Sequence, residues 1–276
     1  MTNQISAHAL NALILHKAVK VLDGSWAMDG SDQHALYRVE HIPGAQFFDL
    51  EAISDHSTPL PHMAPSAAQF AEAVGQLGIS RQDHVVVYDR QGLFSAARVW
   101  WTFRLMGHEA VQVLSGGLPA WKAAGLGVEG GTTDVETVDY ETLPSFDKVI
   151  SLSALAKSAK TFLVLDARPK ARFEGTAPEP RAGLRSGHMP GSRSLPFSEL
   201  VCDGALKPRA ELAAIFAERG VVEGLPVVTS CGSGVTAAIL SMALDEVGHT
   251  QARLYDGSWA EWGQETLNTP VVTGVT

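Results

Sequence analysis

The chain has 276 residues, 45% of them apolar and 18% charged, a balance that excludes whole-chain disorder and suits about two domains of roughly 150 residues. Lys and Arg number 21 against 30 Asp and Glu, a net charge of −9; no basic patch offsets it, so nucleic acid is not an expected partner. The two cysteines, Cys202 and Cys231, are too few for a disulfide framework and fit a reducing compartment.

In chain order, residues 1–20 carry no basic residue ahead of the apolar stretch 9–15 and no small-residue cleavage site after it, so no secretory signal is expected. The longest apolar runs, such as 85–87, fall far short of the roughly 18 residues of a spanning helix. No membrane association is expected, and the expected location is the cytoplasm. A helix is predicted over 66–77, a strand over 85–88 and a helix over 95–106, where the Trp100–Trp101 pair reads as core packing. A stretch rich in Gly, Thr, Asp and Glu follows at 125–144 and reads as a connector. Beyond it the pattern predicts a strand over 162–165, a helix over 209–219, a strand over 226–229 and a helix over 236–247. Strands alternating with helices predict an α/β fold with a mainly parallel sheet flanked by helices.

The pattern repeats. The first half runs Val21-Leu22-Asp23, His41-Ile42-Pro43-Gly44, Val85 to Asp89, Met106-Gly107-His108 and Gly116-Gly117 before Trp121. The second answers with Val164-Leu165-Asp166, His188-Met189-Pro190-Gly191, Val227 to Cys231, Val247-Gly248-His249 and Asp256-Gly257 before Trp259. A period this long predicts two tandem domains of one fold rather than a solenoid: an N-terminal domain over 1–130, a connector over 131–147 and a C-terminal domain over 148–276. His41 and His188 recur in both halves and read as structural.

Chemistry concentrates at Cys231-Gly232-Ser233-Gly234-Val235-Thr236, between a predicted strand and a predicted helix. The carboxyl end of a strand in an open α/β sheet is where ligands bind, and the following helix N-terminus offers unpaired N–H groups. Gly232 and Gly234 allow the backbone to curl around the sulfur with its amides inward. Such a cradle favours the thiolate, which makes Cys231 the candidate nucleophile; Cys202 has no comparable setting. No Arg or Lys lies between Gly232 and Glu246, so the bidentate phosphoryl clamp of a cysteine phosphatase is missing. A cysteine protease would add a His base and an oxyanion hole, which the scattered histidines leave open. Asp89 stands where the second half has Cys231, and the following Arg90-Gln91-Gly92-Leu93 reads as no thiolate cradle, so the first half is expected to be catalytically silent and to wall the cleft. No metal-ligand spacing and no phosphate or dinucleotide fingerprint is visible, and no cofactor is expected.

The tandem repeat, the two His-X-Pro-Gly boxes and the Cys-Gly-Ser-Gly-Val-Thr loop resemble the two-domain rhodanese-type sulfurtransferases over about residues 21–262. Gly232 and Ser233, where thiosulfate-preferring relatives usually place Arg and Lys, resemble the mercaptopyruvate-type branch. The resemblance implies two tandem rhodanese-like domains. It also implies a ping-pong reaction, in which Cys231 takes sulfur from 3-mercaptopyruvate, releases pyruvate, and passes the sulfur to cyanide, a small thiol or thioredoxin. It further implies that Arg172 and Arg181 bind the substrate carboxylate, with Gly232, Gly234, Val235 and Thr236 completing the binding loop. Ser233, His62 and Glu51 take the places of a proton relay, Glu51 standing where the family often has Asp. Two other readings are a thiosulfate:cyanide sulfurtransferase and a persulfide carrier with little turnover.

Overall fold

The computed structural model describes residues 2–157 and 161–275; the outermost predicted domain bounds, residues 1 and 276, lie outside them. The chain divides into two compact units: Met1–Asp55, Ala64–Ser145 and Asp203–Leu206 form the first, and His56–Met63, Phe146–Cys202 and Lys207–Thr276 the second.

Each unit is built on a five-stranded sheet whose pairings are parallel. In the first, β1 (Gln4–Ile5), β2 (Lys20–Asp23), β3 (Gln46–Phe47), β4 (Val85–Tyr88) and β5 (Val111–Leu114) lie in the order β1-β5-β4-β2-β3. In the second, β6 (Val149–Ile150), β7 (Leu163–Asp166), β8 (Arg193–Ser194), β9 (Val227–Ser230) and β10 (Arg253–Tyr255) lie in the matching order β6-β10-β9-β7-β8. The central strands β4 and β9 are buried at every position, as expected of parallel strands covered on both faces, and their near-continuous β-branched runs reflect it. Register pairs Asp23 with Tyr88 and Asp166 with Ser230, so in each unit a buried aspartate ends the strand beside the one that leads into residue 89 or 231.

The helices form where apolar residues recur at helical spacing. Ala67–Gln76 starts at a capping box in which the Ser66 hydroxyl accepts from Gln69 N and the Gln69 side chain reaches back. Ala96–Leu105, Arg209–Glu218 and Ala237–Glu246 follow the predicted segments to within a residue at each end. Trp100 and Trp101 are buried, and the Arg98 guanidinium stacks over Trp101 at 4.5 Å. His41 and His188 occupy matching interior positions. His41 Nδ1 lies 2.9 Å from Tyr37 O and His188 Nδ1 2.8 Å from Phe173 O, and each ring stacks on that same aromatic neighbour.

The stretch predicted as a connector is not slack chain. Val138 N donates to Gly75 O and Leu143 N to Met106 O, and buried Tyr140 bonds to His108 at 2.9 Å. A Cβ on Gly75 would sit 2.4 Å from Val138 O, and one on Gly107 2.3 Å from Leu143 O. Glycine at those two sites therefore lets the strap lie against the first unit, up to Ser145. Packing of a polar strap against glycines leaves no apolar periodicity, which is why the segment reads as a linker.

Candidate active site

Strand β9 ends at Ser230, and Cys231, the first residue beyond it, is 2% exposed. Its N–H donates to Ser258 Oγ at 3.1 Å, and its carbonyl accepts from Trp259 N at 3.0 Å. Gly232 O accepts from Ala260 N at 2.9 Å. Ser258 is fully buried, holds a left-handed φ of 49°, and donates its hydroxyl to Tyr255 O at 2.9 Å. A non-glycine residue in that region costs about 1–3 kcal/mol; the hydroxyl's two bonds offset it. Gly234 supplies a second left-handed position at φ 81°, and the loop then enters the helix Ala237–Glu246 through Thr236. Val235 is buried and Thr236 half-buried.

The expected N–H···S bonds around Cys231 are not formed: among the described residues its sulfur has no hydrogen bond, and the backbone N–H groups of residues 232–237 bond to no described residue. The loop is held through its carbonyls and the Cys231 amide instead of through the sulfur. Its amide edge stays unpaired among the described residues.

Beside the sulfur's loop, Ser233 Oγ lies 2.9 Å from His62 Nδ1, both groups buried. His62 comes from the first half of the sequence but belongs to the second unit, and it holds a left-handed φ of 58°. Arg172 lies against Gly232, where an added Cβ would be 3.1 Å from Nη2 and 3.9 Å from Nη1. Its opposite edge grips Glu179, Nε to Oε1 at 3.2 Å and Nη2 to Oε2 at 2.5 Å. Arg181 is half-buried and, among the described residues, has no hydrogen bond or ion pair. Glu51 belongs to the first unit, exposed on the short helix Leu50–Ile53, where its Oε1 accepts from Trp26 Nε1 at 2.7 Å. The second unit thus gathers Cys231, Gly232, Ser233, His62 and Arg172; Glu51 is seated in the first.

The family model for the rhodanese-like domain matches residues 6–124 and again 151–265. The chain belongs to the rhodanese-like family. It is 43% identical to a 3-mercaptopyruvate sulfurtransferase of Escherichia coli (strain K12) over 250 residues, 89% of each protein. It is 42% identical to the mitochondrial thiosulfate/3-mercaptopyruvate sulfurtransferase 1 of Arabidopsis thaliana, covering 95% of this chain and 76% of that protein. Among solved structures, SseA from Escherichia coli matches with a TM-score of 0.86 at 39% identity, over 95% of this chain and 100% of that one.

The two rhodanese-like domains treat the equivalent loop differently. In the first, Asp89 O accepts from Leu118 N at 3.0 Å, the counterpart of Cys231 O and Trp259 N. Gly117, φ 54°, stands where the second domain has Ser258. The loop after Asp89 is an anion cradle after all, contrary to the reading of Arg90-Gln91-Gly92-Leu93. Gln91 N, Phe94 N and Ala96 N donate to the Asp89 carboxylate at 2.9, 2.7 and 2.9 Å. The domain's own side chain fills the cradle.

Sequence reasoning also missed three residues of the second domain: Ser258, Arg168 and Glu179. Arg168 is 1% exposed, and such a charge stays buried only when paired. It binds Asp166 through Nε at 3.1 and 3.0 Å and through Nη2 at 2.6 Å, Gly187 O at 2.8 Å and Glu179 at 2.8 Å. The one available signal was Asp166-Ala167-Arg168, opposite charges two apart at a predicted strand end.

Proposed function

We propose that the chain is a 3-mercaptopyruvate sulfurtransferase with Cys231 as its nucleophile. The observation that carries the reading is the 2.9 Å contact of Ser233 Oγ with His62 Nδ1 in the loop that begins at Cys231. That contact joins two groups able to handle a proton in the loop that begins at the thiol, a loop whose amides are unpaired among the described residues. The names of the relatives in Escherichia coli and Arabidopsis thaliana support the donor.

The reaction begins when the Cys231 thiolate attacks the sulfur of 3-mercaptopyruvate. The new S–S bond forms as the C–S bond breaks, and its electron pair passes to the carbon as the pyruvate enolate. The enolate carbon takes a proton and leaves as pyruvate, and Cys231 keeps the outer sulfur as a persulfide. Ser233 and His62 supply that proton, a transfer of general-acid type. The unpaired amides of 232–237 and the free edge of Arg172 receive the negative charge of donor and enolate. Arg181, which has no hydrogen bond or ion pair among the described residues, completes the carboxylate site. In the second half-reaction a cyanide ion or a thiolate attacks the outer sulfur and returns Cys231 as thiolate; a dithiol such as thioredoxin fits the same step. Neither Cys202 nor Cys231 forms a disulfide, which favours action in a reducing compartment such as the cytoplasm.

Donor-resolved steady-state kinetics with pyruvate detection tests the reading. The expected result is a higher kcat/KM for 3-mercaptopyruvate than for thiosulfate; a clear preference for thiosulfate would overturn the assignment of donor.

A further inference from the structure

A guanidinium offers two planar edges, each able to hold one carboxylate bidentately. On Arg172 the Nε/Nη2 edge is taken by Glu179 at 3.2 and 2.5 Å. That leaves the Nη1/Nη2 edge, and those are the two nitrogens that lie against Gly232. Glu179 therefore decides which edge faces the loop of Cys231. Its side chain is 1% exposed against 16% for Arg172, so the carboxylate is the fixed partner and the arginine the one with an open side.

Glu179 is fixed in turn. Its Oε1 also accepts from Arg168 Nη1 at 2.8 Å, and Arg168 is clamped by Asp166 at the end of β7. The Arg168 guanidinium stacks 4.2 Å from the ring centroid of Trp259, the residue whose N–H holds Cys231 O. One rigid group thus backs both the arginine and the cysteine loop. Two cations, Arg168 and Arg172, meet two carboxylates, Asp166 and Glu179, so the buried cluster is balanced without a substrate and no bare charge has to be desolvated.

We propose that Glu179 is a positioning residue for the sulfur donor, holding Arg172 so that its free edge receives the donor's carboxylate beside Cys231. The proposal rests on Arg172 being a carboxylate partner, as argued above. Glu179 does not touch the reacting atoms, so its loss acts on binding before it acts on chemistry.

The test is steady-state kinetics on Glu179→Gln and Glu179→Asp with 3-mercaptopyruvate, alongside product inhibition by pyruvate. In E179Q the amide nitrogen turns a donor toward the donors of Arg172, and the side-on pair breaks. The expected result is a KM raised about tenfold or more with kcat within about threefold, and a matching rise in the pyruvate inhibition constant. E179D keeps the charge but withdraws it by one methylene, and its KM falls between wild type and E179Q. Should E179Q fail to fold, E179D carries the test with a KM raised about threefold or more. Unchanged KM in the folded variants, or a fall in kcat at constant KM, would overturn the proposal, since general loosening of the fold does not single out carboxylate binding. Wild-type protein that releases no pyruvate would overturn the donor assignment itself, a result read before any variant is compared.

Discussion

The loops after β4 and β9 share a frame and differ in what stands at the first residue. In the first domain Asp89 carries its own anion, and three backbone amides close on the carboxylate. In the second, among the described residues, the Cys231 sulfur makes no hydrogen bond and the amides of 232–237 have no partner. The contrast teaches that one loop frame serves two states: amides occupied by the domain's own carboxylate after β4, and amides left without a partner among the described residues after β9. It also explains the choice at the left-handed position. The first domain uses Gly117, while the second accepts strain at Ser258 for a hydroxyl that bonds the Cys231 amide.

The comparison breaks most sharply at the sulfur. Cys231→Ser is expected to lower turnover at least about a thousandfold, since a nucleophile has been removed, while Cys202→Ser keeps near-normal kcat/KM. Loss in the second variant instead would move the nucleophile to Cys202. Next in size is the filled cradle. Asp89→Ala strips the acceptor from three backbone amides, that of Ala96 buried, and is expected to lower unfolding free energy by about 2–4 kcal/mol. Urea denaturation reads this; a midpoint equal to that of wild type would mean that the Asp89 carboxylate does not hold its loop.

The smallest effect concerns one histidine in each domain, at positions the repeat does not match. Burial, the largest influence in each case, holds His108 in the first domain and His188 in the second below the ordinary imidazole value of 6.5. Both stay neutral in the fold while the unfolded chain takes up protons first. Stability is therefore full above about pH 7 and falls as pH drops through about 6.5, by of order 1 kcal/mol in all. Thermal melts at three pH values across that window check it, and a melting temperature that rises on acidification would contradict the sign.

Much of this architecture was legible in the sequence because the repeat reports itself twice. The β-branched runs at 85–88 and 227–230 mark buried parallel strands, and the Gly-rich segment after Cys231 marks the turn into a helix. The repeat, the two His-X-Pro-Gly boxes and the Cys-Gly-Ser-Gly-Val-Thr loop together carry the likeness to the family. Other features leave no periodic trace. A carboxylate accepting backbone N–H groups looks in sequence like any aspartate, so the cradle around Asp89 was invisible. Glu179, between Pro178 and Pro180, reads as a loop charge until its pairing with Arg168 and Arg172 explains its burial. The grouping of His62 with the second unit is a tertiary fact, since no local signal tells a chain segment which unit it will join. The docking of the connector at 131–145 leaves no trace for a related reason: backbone bonds to Gly75 and Met106 do not depend on side-chain pattern.

The most direct measurement is intact-protein and peptide mass spectrometry of the wild-type chain after mixing with 3-mercaptopyruvate in the absence of acceptor, with released pyruvate counted in parallel. The account predicts a gain of one sulfur atom on the peptide carrying Cys231, one pyruvate for each modified chain, and reversal by cyanide. An unmodified Cys231 peptide, or added sulfur found on Cys202 alone, would contradict it.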